Sequence, residues 1–221
     1  MLQKDVFTFL KSLKKNNNRD WFKENKPLHD QSRKQVEEFS RQLFDLLQNN
    51  NQLDQHKVFR IYRDVRFSKN KTPYKTHFGM SFRREKPNYR GGYYLHVEPG
   101  ASFFGVGFWG PSKEDLFRLR KEIEMDHEYF TEIATAKPLT EKWGVLQGEK
   151  LKTAPKGFER EHPGIEYLRH KQFVFIKHID DQLLVDPKFG DWMSEHCDAI
   201  RPFLNYMGEI LTTDLNGESI L

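Results

Sequence analysis

Apolar residues in the first fifty positions recur at three- and four-residue spacings. The first such set is Val6, Phe9, Leu10 and Leu13. A second set lies between residues 36 and 47, and a run of asparagines at 49–51 follows it. This spacing places the apolar side chains on one face of a helix, and asparagine clusters are typical of helix ends. The pattern therefore predicts a short N-terminal helix and a longer second helix.

From residue 57 the apolar pattern changes to alternation, which is typical of half-buried β-strands. We predict four consecutive strands at 58–65, 76–82, 93–98 and 102–109, and a fifth at 172–178. Short segments rich in Pro, Gly and Asn separate the first four. Connections this short favour antiparallel neighbours, so these strands are expected to form a meander.

Helical patterns return after the strands. Ser112 is placed to cap a helix that carries Leu119 and Ile123, and Asp186-Pro187 is a typical helix start. Residues 137–163 show no regular pattern. The fold class predicted is α+β: an antiparallel meander of four to five strands covered by N-terminal, middle and C-terminal helices, forming a single domain over residues 1–221.

Composition excludes several classes of protein. The chain has 221 residues, of which 37% are hydrophobic, and it contains nineteen Phe, enough for an aromatic core. No apolar stretch approaches the ~20 residues that span a bilayer, so we predict no membrane partner. The first residues lack the apolar run of a secretory signal, and the lone Cys197 excludes an internal disulfide. These features predict a cytoplasmic protein and leave its oligomeric state open.

The charge is concentrated in one segment. The formal net charge is only +4, but residues 57–90 contain eleven Lys and Arg against two acids. This segment carries +9, and the remaining 187 residues sum to −5. Charge concentrated in this way favours an anionic partner.

Five stretches of sequence resemble a known family. The longest runs from Arg60 to Lys75 and reads RIYRDVRFSKNKTPYK; the others lie at 93–100, 107–109, 162–163 and 168–171. Together they resemble the bacterial and fungal family of uncharacterised proteins catalogued as Domain of Unknown Function 2461, and the similarity spans essentially the whole chain. The resemblance implies a single intracellular α+β domain. It implies no activity and supplies no catalytic residue.

The basic segment supplies the candidate ligand-binding residues. Hydroxyl, ammonium and guanidinium groups at close spacing are suited to phosphate or carboxylate oxygens. The candidates are Arg60, Arg63, Arg66, Ser68, Lys69, Lys71, Tyr74, Lys75 and His77. The alternative is structural: the bases pair with acids elsewhere in the chain, while Phe67 and Tyr74 fill the core.

A second candidate cluster lies on the predicted sheet. His96 and Glu98 are two residues apart and share a strand face, and His77 joins them if the second and third strands pair. Gly105 and Gly107 are expected to leave space on one side of the sheet. Two histidines and a carboxylate have the composition of a metal site. Alternatively, Glu98 orients His96 as a general base, or the face is merely polar.

We assign His96 and Glu98 as the candidate catalytic pair, assign no metal ligand and predict no cofactor. The function predicted is the binding of an anionic small molecule, and the sequence leaves open whether that molecule is also converted. Two alternatives stay open. Aromatic residues interleave with the bases, as in modules that bind single-stranded nucleic acid, and the basic strip can equally bind an acidic protein partner.

Overall fold

A computed structural model describes residues 1–221 and contains nine helices and five strands. The helices are α1 Lys4–Lys15, α2 Arg19–Glu24, α3 Lys26–Asn51, α4 Lys113–Met125, α5 His127–Ala134, α6 Lys137–Trp143, α7 Ile165–Leu168, α8 Asp181–Leu184 and α9 Phe189–Ile210. The strands are β1 Leu53–Val58, β2 Phe78–Arg84, β3 Gly92–Val97, β4 Phe103–Phe108 and β5 Phe173–His178.

The five strands form one antiparallel sheet in the order β1-β2-β3-β4-β5, so every strand pairs with its neighbour in sequence. This confirms the predicted α+β class and the meander. The predicted second to fifth strands agree with β2 to β5 within two residues at each end. Alternation is clear in β3, where Tyr93, Leu95 and Val97 are buried while Tyr94 and His96 are half-buried.

The first strand was predicted in the wrong place. It covers Leu53–Val58, and residues 59–65 of the predicted strand belong instead to a loop that folds back on itself. In this loop the Arg63 amide donates to the Pro73 carbonyl at 2.9 Å, and the Lys75 amide donates to the Ile61 carbonyl at 2.8 Å. Ile61 is buried by this folded loop, which produces a strand-like pattern without a continuous ladder.

Three predicted helices are confirmed as α1, α3 and α4. Ser112 caps α4 by accepting a hydrogen bond from the Asp115 amide at 3.0 Å. The C-terminal helix α9 begins at Phe189, after the predicted Asp186-Pro187 start. Residues 137–163, for which the sequence shows no regular pattern, include helix α6. Helices as short as α6 contain too few turns for a clear periodic pattern. None of the helices combines the length and the hydrophobicity that crossing a membrane requires.

The chain divides into two compact units; the predicted single domain stays a prediction. The first unit comprises Met1–Phe82, Tyr94–Phe104 and His178–Ser194. Its core includes Leu10, Val36 and Phe78, none of which is exposed to solvent. Phe9 contacts Phe78 there with ring centroids 6.3 Å apart. Burying aromatic and branched side chains of this size contributes about 1.5–3 kcal/mol each.

The second unit comprises Arg83–Tyr93, Gly105–Lys177 and Glu195–Leu221. Phe130 is fully buried and packs edge-on against Phe173 and Phe203. Trp143 is also buried, and its indole nitrogen donates to the His196 carbonyl at 2.8 Å. This bond satisfies the polar atom that a buried tryptophan carries into a core.

Gly107 does not provide the open space that the sequence suggested. Its φ of +125° lies in the region that favours glycine, and a Cβ atom placed there meets the Phe173 carbonyl oxygen at 2.2 Å. The glycine therefore allows β4 and β5 to approach closely, and the space beside it is filled by backbone.

We predict that Gly107→Ala lowers the free energy of unfolding by more than about 2 kcal/mol, because it combines backbone strain with a steric clash. Urea denaturation followed by tryptophan fluorescence measures the loss. Gly110→Ala is the matched control, since nothing lies within 4 Å of a Cβ at that position. Equal losses in the two variants would contradict this explanation of Gly107.

Candidate functional site

The loop at residues 59–77, here called the basic loop, is held together by several of its own cations. Arg63 donates from Nη1 to the Thr72 hydroxyl at 2.6 Å and from Nη2 to the Ser68 hydroxyl at 3.4 Å. Lys71 donates from Nζ to the Val65 carbonyl at 3.0 Å. These bonds close the loop, so Arg63, Ser68 and Lys71 have structural partners within it.

Two further candidates are also engaged. Arg66 Nη2 pairs with the Asp64 carboxylate at 2.7 Å, and the pKa of Asp64 is lowered, first by that side-chain hydrogen bond. Tyr74 is only 7% exposed and stacks on Phe22 with ring centroids 3.9 Å apart. The alternative prediction, in which Tyr74 fills the core, is thus confirmed, and Tyr74 is not part of the proposed site. For Phe67 that alternative is wrong, because its side chain is 96% exposed.

Other cations of the basic loop have no acidic partner. The cations that form no ion pair with a carboxylate are Arg60, Arg63, Lys69, Lys71 and Lys75. Lys75 is half-buried, and its Nζ lies 5.9 Å from the centroid of the Phe59 ring. Its pKa is lowered, chiefly by burial and then by the charge of Arg60. Positive charge in this part of the loop is therefore left uncompensated.

Of the remaining bases of the +9 segment, Lys57 lies in β1, and Arg83, Arg84, Lys86 and Arg90 lie in the second unit. Arg84 is 1% exposed and donates to the Asn205 side-chain oxygen at 2.5 Å. Arg90 pairs with Asp115 at 2.7 Å. These two arginines stabilise the second unit, and the candidate site lies in the first unit.

His77, His96 and Glu98 come together, as the sequence predicted from pairing of the second and third strands. His77 immediately precedes β2, His96 lies in β3 and Glu98 follows β3. One ligand atom from each lies within 4.8 Å of the others. The His96 Nε2 and Glu98 Oε2 atoms are 3.2 Å apart, and the two imidazole centroids are 4.0 Å apart.

Neighbouring side chains fix the orientation of this cluster. The Tyr94 hydroxyl lies 3.4 Å from His96 Nδ1, and Phe103 stacks on the His96 ring at 4.7 Å with an interplanar angle of 11°. A Cβ atom at Gly79 would lie 2.5 Å from the Tyr94 hydroxyl, so glycine provides the room for that ring.

Glu98 is held from two sides. Thr76 donates from Oγ1 to Glu98 Oε1 at 2.8 Å, and Lys14 of α1 lies 3.7 Å from the same oxygen. No pattern in the sequence indicated a role for Lys14, Thr76 or Phe103 in this cluster. Thr76 adjoins His77 in the sequence, but no signal in the chain connects Lys14 with Glu98, since 84 positions separate them.

Burial and nearby cations keep both histidines neutral near pH 7. The pKa of His77 is lowered to about 4, chiefly by burial, then by the charge of His96 and then by those of Lys75 and Arg63. Burial also lowers the pKa of His96, although Glu98 acts in the opposite direction. For Glu98 itself burial acts to raise the pKa, but hydrogen bonds from Thr76 and His96 outweigh it and the net pKa is lowered.

The cluster is therefore a pair of neutral imidazoles beside a carboxylate. A neutral imidazole that is hydrogen-bonded to a carboxylate is suited to act as a general base. Two neutral imidazoles and a carboxylate are equally the donor set of many transition-metal sites. The structure brings His77, His96 and Glu98 into one cluster, and electrostatic interactions connect Arg63 and Lys75 with it.

Comparison with known proteins gives one match. A family model described as conserved hypothetical protein (DUF2461) matches residues 5–206. Searches of curated proteins and of solved structures found no match. The matched range contains the basic loop and all three residues of the His77–His96–Glu98 cluster.

We predict that the pKa of His77 in metal-free protein makes stability depend on pH. Its pKa is about 4 when folded and near 6.5 in an unfolded chain, so the unfolded state binds more protons between these values. Stability should fall as the pH decreases from about 6.5 to about 4. Urea unfolding at pH 7 and pH 5, with histidine NMR titrations, tests this.

The His77→Gln variant should lose less stability than the wild type over this interval. The exposed His178 provides the control, His178→Gln, which should keep the wild-type pH dependence. A His77 resonance that titrates near pH 6.5 would contradict the burial argument.

Proposed function

The chain belongs to the DUF2461 family of conserved hypothetical proteins, and we propose that it binds an anionic small molecule carrying a phosphate or carboxylate group. The binding surface is formed by the basic loop beside the His77–His96 pair. The cytoplasmic location of this activity stays a prediction from the sequence.

The observation that carries the proposal is uncompensated positive charge around a half-buried cluster. Arg63 and Lys75 have no carboxylate within ion-pair distance, and their charges act on His77. Arg60 also forms no ion pair, and its charge acts on Lys75 and on the Asp64 carboxylate. The nearby acids Asp64 and Glu98 are already paired with Arg66 and with Lys14. Like charges held together are unfavourable, and a bound anion would relieve their repulsion.

Lys75 and Arg63 are the principal charges in this proposal. Lys75 is half-buried, so its contact with an anion is less screened by water than a fully exposed pair would be. Arg63 keeps its fixed position through the Thr72 and Ser68 hydroxyls. When His96 donates from Nε2 to Glu98, its basic nitrogen is Nδ1, which lies 3.4 Å from the Tyr94 hydroxyl. In catalysis Nδ1 would accept the proton of a bound molecule that takes the place of this hydroxyl contact.

We predict that Lys75→Met weakens anion binding at least about tenfold, because hydrogen bonds to charged groups contribute about 1.5–3 kcal/mol. The probes are inorganic phosphate, pyrophosphate and citrate, added to chelator-treated full-length protein. Thermal shift and isothermal titration calorimetry measure binding, with KCl at equal ionic strength as the reference.

Lys11→Met is the matched control, since Lys11 is an exposed lysine of α1 without an ion pair. It removes the same charge from the same unit and should bind as the wild type does. The proposal is wrong if the wild type responds to none of the three anions, or if both variants lose affinity equally.

One observation favours single-stranded nucleic acid as a second candidate ligand. Phe67 is 96% exposed in the basic loop, and the Arg66 guanidinium lies 5.9 Å from its ring centroid. An exposed aromatic ring beside cations is the usual platform for stacking an unpaired base.

If this candidate is correct, Phe67→Ala should weaken binding of a fluorescent single-stranded oligonucleotide about five- to hundredfold, since base stacking contributes about 1–3 kcal/mol. Anisotropy at 50 and 200 mM KCl measures the affinity, which should fall steeply with salt. Phe117→Ala, at a ring 55% exposed on α4, is the control. Absence of binding at 50 mM KCl, or an affinity independent of salt, would exclude nucleic acid.

A further inference from the structure

We propose that His77, His96 and Glu98 form a binding site for one divalent transition-metal ion such as Zn²⁺. This goes beyond the sequence-based prediction, which assigned no metal ligand, and it does not depend on the proposed anion binding. Two imidazoles and one carboxylate form a donor set suited to Zn²⁺ and to its first-row neighbours.

The spacing of the donor atoms supports a shared ion. Ligands about 2.0–2.1 Å from a tetrahedral zinc lie roughly 3.3 Å from one another. His96 Nε2 and Glu98 Oε2 are already 3.2 Å apart. The third donor, from His77, lies within 4.8 Å of both, and rotation about its side-chain torsions can bring it closer.

The surroundings match what metal ligands require. Metal-binding histidines usually have a hydrogen-bond partner at the second ring nitrogen, and metal-binding carboxylates are held in turn by a donor. His96 Nδ1 has the Tyr94 hydroxyl at 3.4 Å. Glu98 Oε1 accepts from Thr76 at 2.8 Å, which leaves Oε2 directed towards His96 and available for the ion.

His77 distinguishes a metal site from a general-base pair. A Glu98–His96 pair needs no second imidazole, yet the ring of His77 lies 4.0 Å from that of His96 and forms no hydrogen bond. The half-buried ring of His77 therefore keeps its nitrogens available, and a shared ion would give one of them a partner.

A second pair of neighbouring histidines lacks the free ring nitrogens that a metal ion requires. The rings of His127 and His162 are 5.6 Å apart. Both nitrogens of His162 are engaged by backbone, one with the Glu124 carbonyl at 3.1 Å and the other with the Gly164 amide at 3.0 Å. His162 therefore has no nitrogen left for an ion, and this pair supplies a control.

Three protein ligands would leave at least one coordination position open. In zinc sites with three protein ligands, that position holds water or substrate. Lys75 and Arg63 carry positive charge towards the same cluster, so a negatively charged oxygen donor fits the open position best. The metal would then bind first, and an anion would complete its coordination.

The test is calorimetric titration of chelator-treated full-length protein with Zn²⁺ in a buffer free of phosphate and carboxylate. The wild type should bind one ion, and His77→Gln and Glu98→Gln should each weaken binding at least about tenfold. His127→Gln should bind as the wild type does. Circular dichroism checks that each variant folds.

A second measurement needs no variant. Added Co²⁺ should broaden the NMR signals of the His77 and His96 rings before those of the other histidines. The proposal is overturned if the wild type binds no Zn²⁺, if both ligand variants bind as tightly as the wild type, or if Co²⁺ first broadens other histidines. Since phosphate, pyrophosphate and citrate are all absent, these outcomes are independent of the anion-binding experiment.

Discussion

The two-residue alternation along β2 and β3 determines what the rest of the first unit can do. Phe78 of β2 and Leu95 and Val97 of β3 are fully buried, so the intervening side chains must lie on the opposite face of the sheet. His96 and Glu98 reach that face together for this reason. A shift of one residue in register would bury the imidazole and carboxylate and expose the apolar side chains. The hydrophobic core thus fixes the position of the polar cluster.

The basic loop shows how charge is divided between structure and function. Arg63 and Lys71 close the loop through hydroxyl and carbonyl oxygens, and Arg66 pairs with Asp64. These contacts are mostly exposed, and each contributes little to stability by itself, but together they define the loop's shape. Arg60 and Lys75 form no ion pair with a carboxylate, and the charge of Lys75 acts on both histidines. The basic loop therefore combines structural cations with ones that form no ion pair.

The proposed anion site and the proposed metal site involve the same two histidines. Burial keeps the imidazoles of His77 and His96 neutral near pH 7, and a neutral imidazole is the form that binds a metal or accepts a proton. The surrounding cations disfavour protonation of the same rings and favour an anion. Burial and charge thus both oppose an additional proton. Because the same cations also repel a metal ion, the Glu98 carboxylate and a bound anion are the groups that would offset its charge.

The sequence by itself determined the α+β class, strands β2 to β5 and helices α1, α3 and α4. It also determined the cluster of His77, His96 and Glu98, because regular periodicity specifies which side chains share a face. It misplaced the first strand, because a folded loop that buries Ile61 gives the same alternation as a strand. Only the tertiary structure decided which cations are paired, that Phe67 is exposed while Tyr74 is buried, and that Lys14 lies beside Glu98. These facts depend on contacts between residues far apart in the chain, and local periodicity contains no information about them.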